Sequence, residues 1–261
     1  MTRPRIVLAS LTGLAVFGLL WEGLVRLFDV KPFILLAPSE IVAELGNAPA
    51  RYTEAALVTA RHAALGVIIA LVVAVLLGAA LAASRFAEQA AQPVLMIILV
   101  APWVAYFSSI AIWLGAGDPP VVFLAAFVTT PAFVFAAVAG MRSADPAARE
   151  LLASVDASRW EVLWRLRLPS ALPAILAAAR YTVGLALAAA YYGEGGNLST
   201  AGLGAIGDRA AAAQFGPALW ATVISTVVLG VVFLAVITIA ERVLLHWHAS
   251  QRDTALPRSV R

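Results

Sequence analysis

The chain has 261 residues, 62% of them hydrophobic and 13% charged, with a formal net charge of +3 at pH 7. That apolar fraction and a mean hydropathy of +0.91 exclude an ordinary soluble globular domain, and stretches long enough to cross a bilayer recur. There is no cysteine, which excludes a disulfide framework, a thiolate metal site and a cysteine nucleophile. The basic balance does not mark a nucleic-acid binder, because the arginines lie in short loops between apolar runs rather than along one exposed element.

Taken in chain order, six apolar runs are expected as spans. The first, Ile6 to Phe28, follows Arg3 and Arg5 as a signal peptide would. It continues for about 20 residues with no convincing small-x-small site before Trp21, Glu22 and Arg26, so a retained span is expected. The others cover about 57–83, 93–114, 120–141, 171–192 and 217–246. Residues 1–5 and 247–261 are tails, and 142–170 is a polar loop between the fourth and fifth spans. The expected fold is therefore all-α and polytopic, with about six transmembrane helices.

Basic residues near span ends are retained on the cytoplasmic side. One set of loops holds Arg3, Arg5, Arg85, the arginines at 142, 149, 159, 165 and 167, and Arg242, Arg252, Arg258 and Arg261. The opposite set has only Lys31, Arg51 and Arg209. Both termini and the 142–170 loop are expected in the cytoplasm, and 29–54, 115–119 and 193–216 outside. Alanine richness suits close helix packing in lipid.

Motifs for chemistry are sparse. "GLGAIG", Gly202 to Gly207, matches G-x-G-x-x-G, but the dinucleotide reading needs a preceding strand and an acidic residue about 20 positions on, where "ATVISTVVLG" lies. A tight re-entry turn before the last span is expected instead. No P-loop occurs and Lys31 is the only lysine, so this chain cannot hydrolyse ATP by that route. His62, His246 and His248 lie near span ends, with no H-E-x-x-H or G-x-S-x-G pattern, and an interfacial role is expected. No catalytic residue, metal or cofactor is assigned.

The segment "ELLASVDASRWEVLWRLRLP", Glu150 to Pro169, stands apart. It reads as two short helical pieces joined near Asp156 and Ala157, with Trp160, Leu163 and Trp164 on one face. It resembles the EAA loop of ABC importer permeases, E-A-A, three residues, G, about nine residues, I-x-L-P. Glu150 matches the glutamate, Leu151 and Leu152 stand for the alanines, Asp156 for the glycine, and Leu166-Arg167-Leu168-Pro169 for I-x-L-P. Glycine there allows a left-handed junction, and Asp tolerates that conformation better than most residues with a Cβ.

The resemblance extends to one branch of importers, the permeases for nitrate, taurine, alkanesulfonates and thiamine-pyrimidine precursors. Trp21-Glu22, "KPFILLAPSEIV", "IWLGAG" at 112–117, "AGMRSADP", Glu194 and Gly202-Leu203-Gly204 carry it. It implies a type I importer permease fold in a bacterial inner membrane. Its expected partners are a second permease copy, two copies of a cytoplasmic ABC ATPase, a periplasmic or lipid-anchored binding protein and membrane lipid, with no nucleic acid. The loop, through Glu150, Leu151, Leu152, Asp156, Ala157, Trp160, Leu166, Leu168 and Pro169, would be a coupling hairpin lying in a groove of the ATPase.

Pathway candidates follow in the same way, Glu194 among them. Ser108 and Ser109 stand where the branch commonly has proline-leucine, and serve either substrate or helix packing. Trp113, Tyr191 and Tyr192 are pathway walls or an interfacial belt. Arg180 lies 11 residues beyond Pro169, roughly 16 Å along a helix, and matches an arginine frequent in the branch. It meets an anionic substrate, or a structural partner such as Glu22 or a carbonyl. Glu22 and Arg26 are spaced to pair on the first helix. A secondary transporter or channel would share the apolar spans but has no use for such a hairpin.

Overall fold

A computed structural model describes residues 3–32, 34–196 and 201–245, and all regular structure among them is helical. In chain order the helices are α1 (Arg3–Leu27), α2 (Pro38–Asn47), α3 (Pro49–Ala83), α4 (Arg85–Val100), α5 (Trp103–Leu114) and α6 (Asp118–Arg142). They are followed by α7 (Pro146–Ser154), α8 (Arg159–Val162), a π-helical turn Leu163–Arg167, α9 (Leu168–Gly195), α10 (Leu203–Ala212) and α11 (Gly216–Leu244). His246, His248 and the tail expected at 247–261 lie outside the described residues.

Four helical segments are long and apolar enough to cross a membrane: α3, α6, the continuous run from Arg159 to Gly195, and α11. A fifth is reached if α4 and α5 count as one broken span, so the expected six are not reproduced as such. The apolar run expected as one span at 93–114 is instead two helices meeting at 98°. Pro102 explains the break: it has no N–H to donate, and it disfavours helical backbone at Ala101, which is extended at φ −59° and ψ 137°. α1 covers the range expected for the first span and lies at the periphery. There Glu22 accepts from Arg26 Nε at 2.6 Å, Ser39 N at 3.0 Å and Ser39 Oγ at 2.8 Å. The N-cap of α2 is Ala37, without a side-chain acceptor, so the Glu22 carboxylate takes over the capping role from another helix. Trp21 meets Trp220 of α11 edge-on at 5.7 Å.

The centre of the molecule is α3, α6 and α9. Helix α6 is the most enclosed; Val121, Leu124, Ala125, Phe133, Val134 and Ala137 are all fully buried. Small residues set the spacing. A Cβ at Gly66 of α3 would lie 2.6 Å from the Ala125 Cβ, and one at Gly140 of α6 would lie 2.6 Å from the Ala171 Cα of α9. Where hydrocarbon surrounds the helices, hydrophobic burial gives little drive to associate, and this close backbone approach supplies dispersion contact instead. Large apolar side chains remain exposed along α1, α4 and α11.

Gly66→Val should therefore destabilise by roughly 1–3 kcal/mol, because Ala125 and the backbone at Ala126 leave no room. Gly184→Ala, where nothing lies within 4 Å, should leave stability unchanged or slightly raised. Thermal melting of the detergent-solubilised chain separates the two, and equal melting temperatures would contradict the packing.

Candidate functional site

The 142–170 segment is built by a succession of local signals. Helix α6 ends at Arg142, and Asp145 opens α7 by accepting from Ala147 N at 2.9 Å, with Pro146 at the first helical position. The helix closes at Asp156, which is left-handed at φ +51°. The Ala157 N–H reaches back to Leu152 O at 3.0 Å and the Asp156 N–H to Ala153 O at 3.2 Å. This double closure is a Schellman turn, whose left-handed position glycine favours. The junction expected near Asp156 and Ala157 is thus present, in the conformation expected.

The next helix begins with a reciprocal cap. Ser158 Oγ accepts from Glu161 N at 3.2 Å, and Glu161 Oε2 accepts from Ser158 N at 3.0 Å. From Leu163 to Arg167 the helix widens into a π turn that leads without a break into α9. Pro169 accounts for it, since its ring and missing N–H conflict with the carbonyl four residues back in an ordinary α turn. Leu163 and Leu168 pack against the cluster formed by Ala70, Phe133, Val138 and Ala171. The hairpin is thereby fixed to the α3–α6–α9 core.

Its outer surface carries an apolar face that no other described residue of the chain covers. Leu151 and Val155 are each 67% exposed, Trp160 66% and Trp164 53%, and the two indoles meet edge-on at 5.6 Å. Glu150 and Asp156 are also exposed, while Leu152, Ala157, Leu166, Leu168 and Pro169 are half-buried against the chain. An exposed apolar patch on an arginine-rich loop marks a surface for another macromolecule.

A second constellation lies at the opposite ends of α6 and α9. Glu194 is fully buried; its carboxylate accepts from Thr59 Oγ1 at 2.8 Å and from the Gly204 N–H at 3.0 Å. His62 Nδ1 lies 2.8 Å from the same carboxylate. His62 Nε2 is 3.2 Å from Asp118 Oδ1, within ion-pair distance but out of line for a hydrogen bond, and Asp118 also pairs with Arg61. Leu203 N donates to Thr59 Oγ1 at 2.9 Å. Four elements, α3, α6, α9 and α10, are pinned together by one carboxylate and its neighbours. The first turn of α10 has no side-chain cap of its own, and Thr59 and Glu194 satisfy two of its N–H groups, those of Leu203 and Gly204.

Two expectations are corrected here. Gly202 to Gly207 are not a re-entry turn but the start of α10, where a Cβ at Gly204 would strike the Tyr191 carbonyl and one at Gly202 the Glu194 carboxylate. His62, expected at an interface, is fully buried. The sequence signal was the pair Thr59 and His62, three apart and so on one face of a helix that is otherwise apolar; an ionisable group there needs an interior partner.

The remaining candidates are dispersed. Arg180 pairs with Glu241 of α11, not with Glu22, while Glu22 and Arg26 do pair, at 2.6 Å. Tyr191 is half-buried and its hydroxyl donates to Thr222 Oγ1 at 2.9 Å, since the Thr222 hydroxyl is itself given to Leu219 O. Tyr192 meets Trp103 and Phe107 edge-on at 5.7 and 5.8 Å, joining α5 to α9. Ser108, Ser109 and Trp113 lie on the exposed side of α5, whose inner side is Phe107 and Ile110. Glu194, placed among pathway candidates by its sequence context, presents no accessible surface within one chain.

Residues 66–246 match the family model described as "Binding-protein-dependent transport system inner membrane component". The chain belongs to this family. It is 28% identical to the formylaminopyrimidine transport permease protein ThiX of Halalkalibacterium halodurans over 239 residues, 89% of this chain and 92% of that protein. Against the taurine transport system permease protein TauC of Escherichia coli it is 29% identical over 188 residues, 69% of this chain and 68% of the other. The riboflavin transport system permease protein RibX of Chloroflexus aurantiacus is 30% identical over 168 residues, covering 64% and 62%. A solved structure of the MetNI methionine ABC transporter, inward facing, superposes with a TM-score of 0.63 at 15% identity, covering 76% of this chain and 96% of that one. The fold is that of a type I ABC importer permease, and the chain is a multi-pass membrane protein of a transport system, not an enzyme.

Two predictions follow from the geometry. His62→Ala removes the partner of a buried carboxylate and should cost about 2 kcal/mol or more, whereas Arg51→Gln, on an exposed residue, should cost little. Thermal melting in detergent checks this, and a His62→Ala chain as stable as the parent would contradict the anchoring. The Ser158 backbone and hydroxyl, first, hold the Glu161 carboxyl below the usual carboxylate range, with Arg165 adding a smaller pull. A carboxyl whose folded pKa is lowered contributes stability above its unfolded value and loses it as pH falls through the folded one. Amide hydrogen exchange, corrected for its intrinsic pH dependence, should show Ser158 to Glu161 losing protection below the normal carboxylate range. In Glu161→Gln that pH dependence should vanish.

Proposed function

We propose that this chain forms the translocation pathway of an ATP-driven importer for a small substrate of the sulfonate, taurine, nitrate or pyrimidine-precursor class. Two permease copies assemble with two copies of a separate cytoplasmic ABC ATPase, and a periplasmic or lipid-anchored binding protein delivers the substrate. The assembly sits among lipids of a bacterial inner membrane with both termini and the 142–170 hairpin in the cytoplasm. The relatives for formylaminopyrimidine and taurine support the substrate class, and the arginine asymmetry supports the orientation.

The observation that carries the reading is the hairpin. Its apolar face of Leu151, Val155, Trp160 and Trp164 is exposed, while Leu163 and Leu168 lock it to the core. A partner that closes on ATP and pulls this face moves α6 and α9 as rigid bodies, which is what alternating access requires. The permease then needs no chemistry of its own. Ser108, Ser109, Trp113 and Tyr192, on α5 and the neighbouring end of α9, are the proposed pathway residues. Arg180, bound to Glu241, is proposed to brace α9 against α11.

Leu151→Asp and Trp160→Ala, both at exposed positions, should leave folding intact but lower ATP-driven uptake in proteoliposomes at least tenfold, by losing contacts of hot-spot size. Stimulation of the ATPase by the loaded binding protein should fall in parallel. Unchanged uptake in both variants would refute the coupling role.

A further inference from the structure

At the end of the molecule that carries the hairpin, a hollow of about 310 Å³ opens between the ends of α3 and α6, the start of α4, α7 and the π turn. Four of its nine lining residues are arginines, Arg85, Arg142, Arg149 and Arg167, and none is acidic. Arg142 is balanced by Glu88 at 2.6 Å. Arg85, Arg149 and Arg167 have no ion pair among the described residues. The nearby acids are engaged or turned elsewhere: Asp145 caps α7, Glu161 caps α8, and Glu150 and Asp156 are exposed outside the hollow. Guanidinium groups converging on a cleft of this size form a site for a phosphate, which their planar donors match in charge and geometry.

Depth selects the source of the phosphate. Ala82-Ala83, Met141-Arg142 and Leu166-Arg167 line the hollow; the first two pairs end α3 and α6 and the third leads into α9, so the hollow lies at the level of the lipid headgroups. Next to Arg85, Phe86 is 81% exposed, an apolar side chain available as an anchor beside the cationic site.

We propose that this hollow binds the phosphodiester headgroup of an anionic lipid from the leaflet on the hairpin's side. The site rests on the permease reading only for which leaflet that is. An occupied headgroup would neutralise Arg149 and Arg167, which flank the hairpin at both ends, and so hold α7 and the π turn in register with α3.

The test is native mass spectrometry and thermal melting of the full chain, exchanged from zwitterionic detergent into bilayers of phosphatidylcholine with or without phosphatidylglycerol. Phosphatidylglycerol should be retained preferentially and should raise the melting temperature. Arg85→Gln with Arg149→Gln should weaken that retention roughly thirtyfold, as expected for two interfacial arginines, while melting in phosphatidylcholine stays as in the parent. Arg51→Gln with Arg209→Gln, at the opposite end, should retain the lipid normally. Equal retention of the two lipids, or unchanged retention in the first double variant, would overturn the site. Should inorganic phosphate alone reproduce the stabilisation, the ligand is free phosphate and the lipid assignment is wrong. Because no ATPase or substrate enters this assay, lipid retention is read independently of transport: failure of the assembled transporter, with its ATPase and binding protein, to take up substrate would sink the proposed function and leave the site standing.

Discussion

The contact on which the rest depends is the close approach of α3, α6 and α9. Gly66 sits against Ala125, Gly78 against Ala137, and Gly140 against Ala171, with no room for a side chain between the backbones. These three approaches are spread along α6, so the helix is fixed along most of its length. Everything functional hangs from them: the hairpin leaves α6 at Arg142 and returns to α9 at Leu168, and the Glu194 cluster joins the other ends of the same helices. Under the proposed coupling role, a displacement of the hairpin would be carried toward the far end by these packed helices.

The two ends are built from different physics. At the hairpin end the chain secures itself by local devices, an Asp cap, a Schellman turn, a capping box and a π turn, and leaves its apolar face free. At the far end a buried carboxylate gathers N–H and hydroxyl donors from α3 and α10, whose sequence separation from Glu194 reaches 135 residues. Local devices tolerate a moving partner, whereas an expensive buried network holds one arrangement. Such a division fits the proposed function, in which the hairpin end is the one that a partner pulls.

Much of the hairpin was legible in the sequence because its signals are local. Asp156 at a glycine position, Ser158 three residues before Glu161, and Pro169 after an amphipathic turn each act on their own neighbours. The long apolar helices were legible too, from run length alone. Pro102 splitting α4 from α5 was not foreseen, since hydropathy is unaffected by a proline that bends the chain by 98°. The partners of His62 and Arg180 also escaped, because Glu194 and Glu241 are joined to them only by the fold. His62 could have been suspected, being ionisable in an apolar helix; its carboxylate could not have been named from spacing.

In the proposed function, the exposed face of the hairpin is the contact through which ATP energy enters. Since the chain has no cysteine, one introduced at Trp160 is a unique attachment point for a photo-crosslinker in the assembled transporter, with Tyr181, 84% exposed on α9, as the comparison site. Position 160 should capture the ATPase subunit and position 181 should not. No capture from 160, or capture of the ATPase from 181 instead, would contradict it.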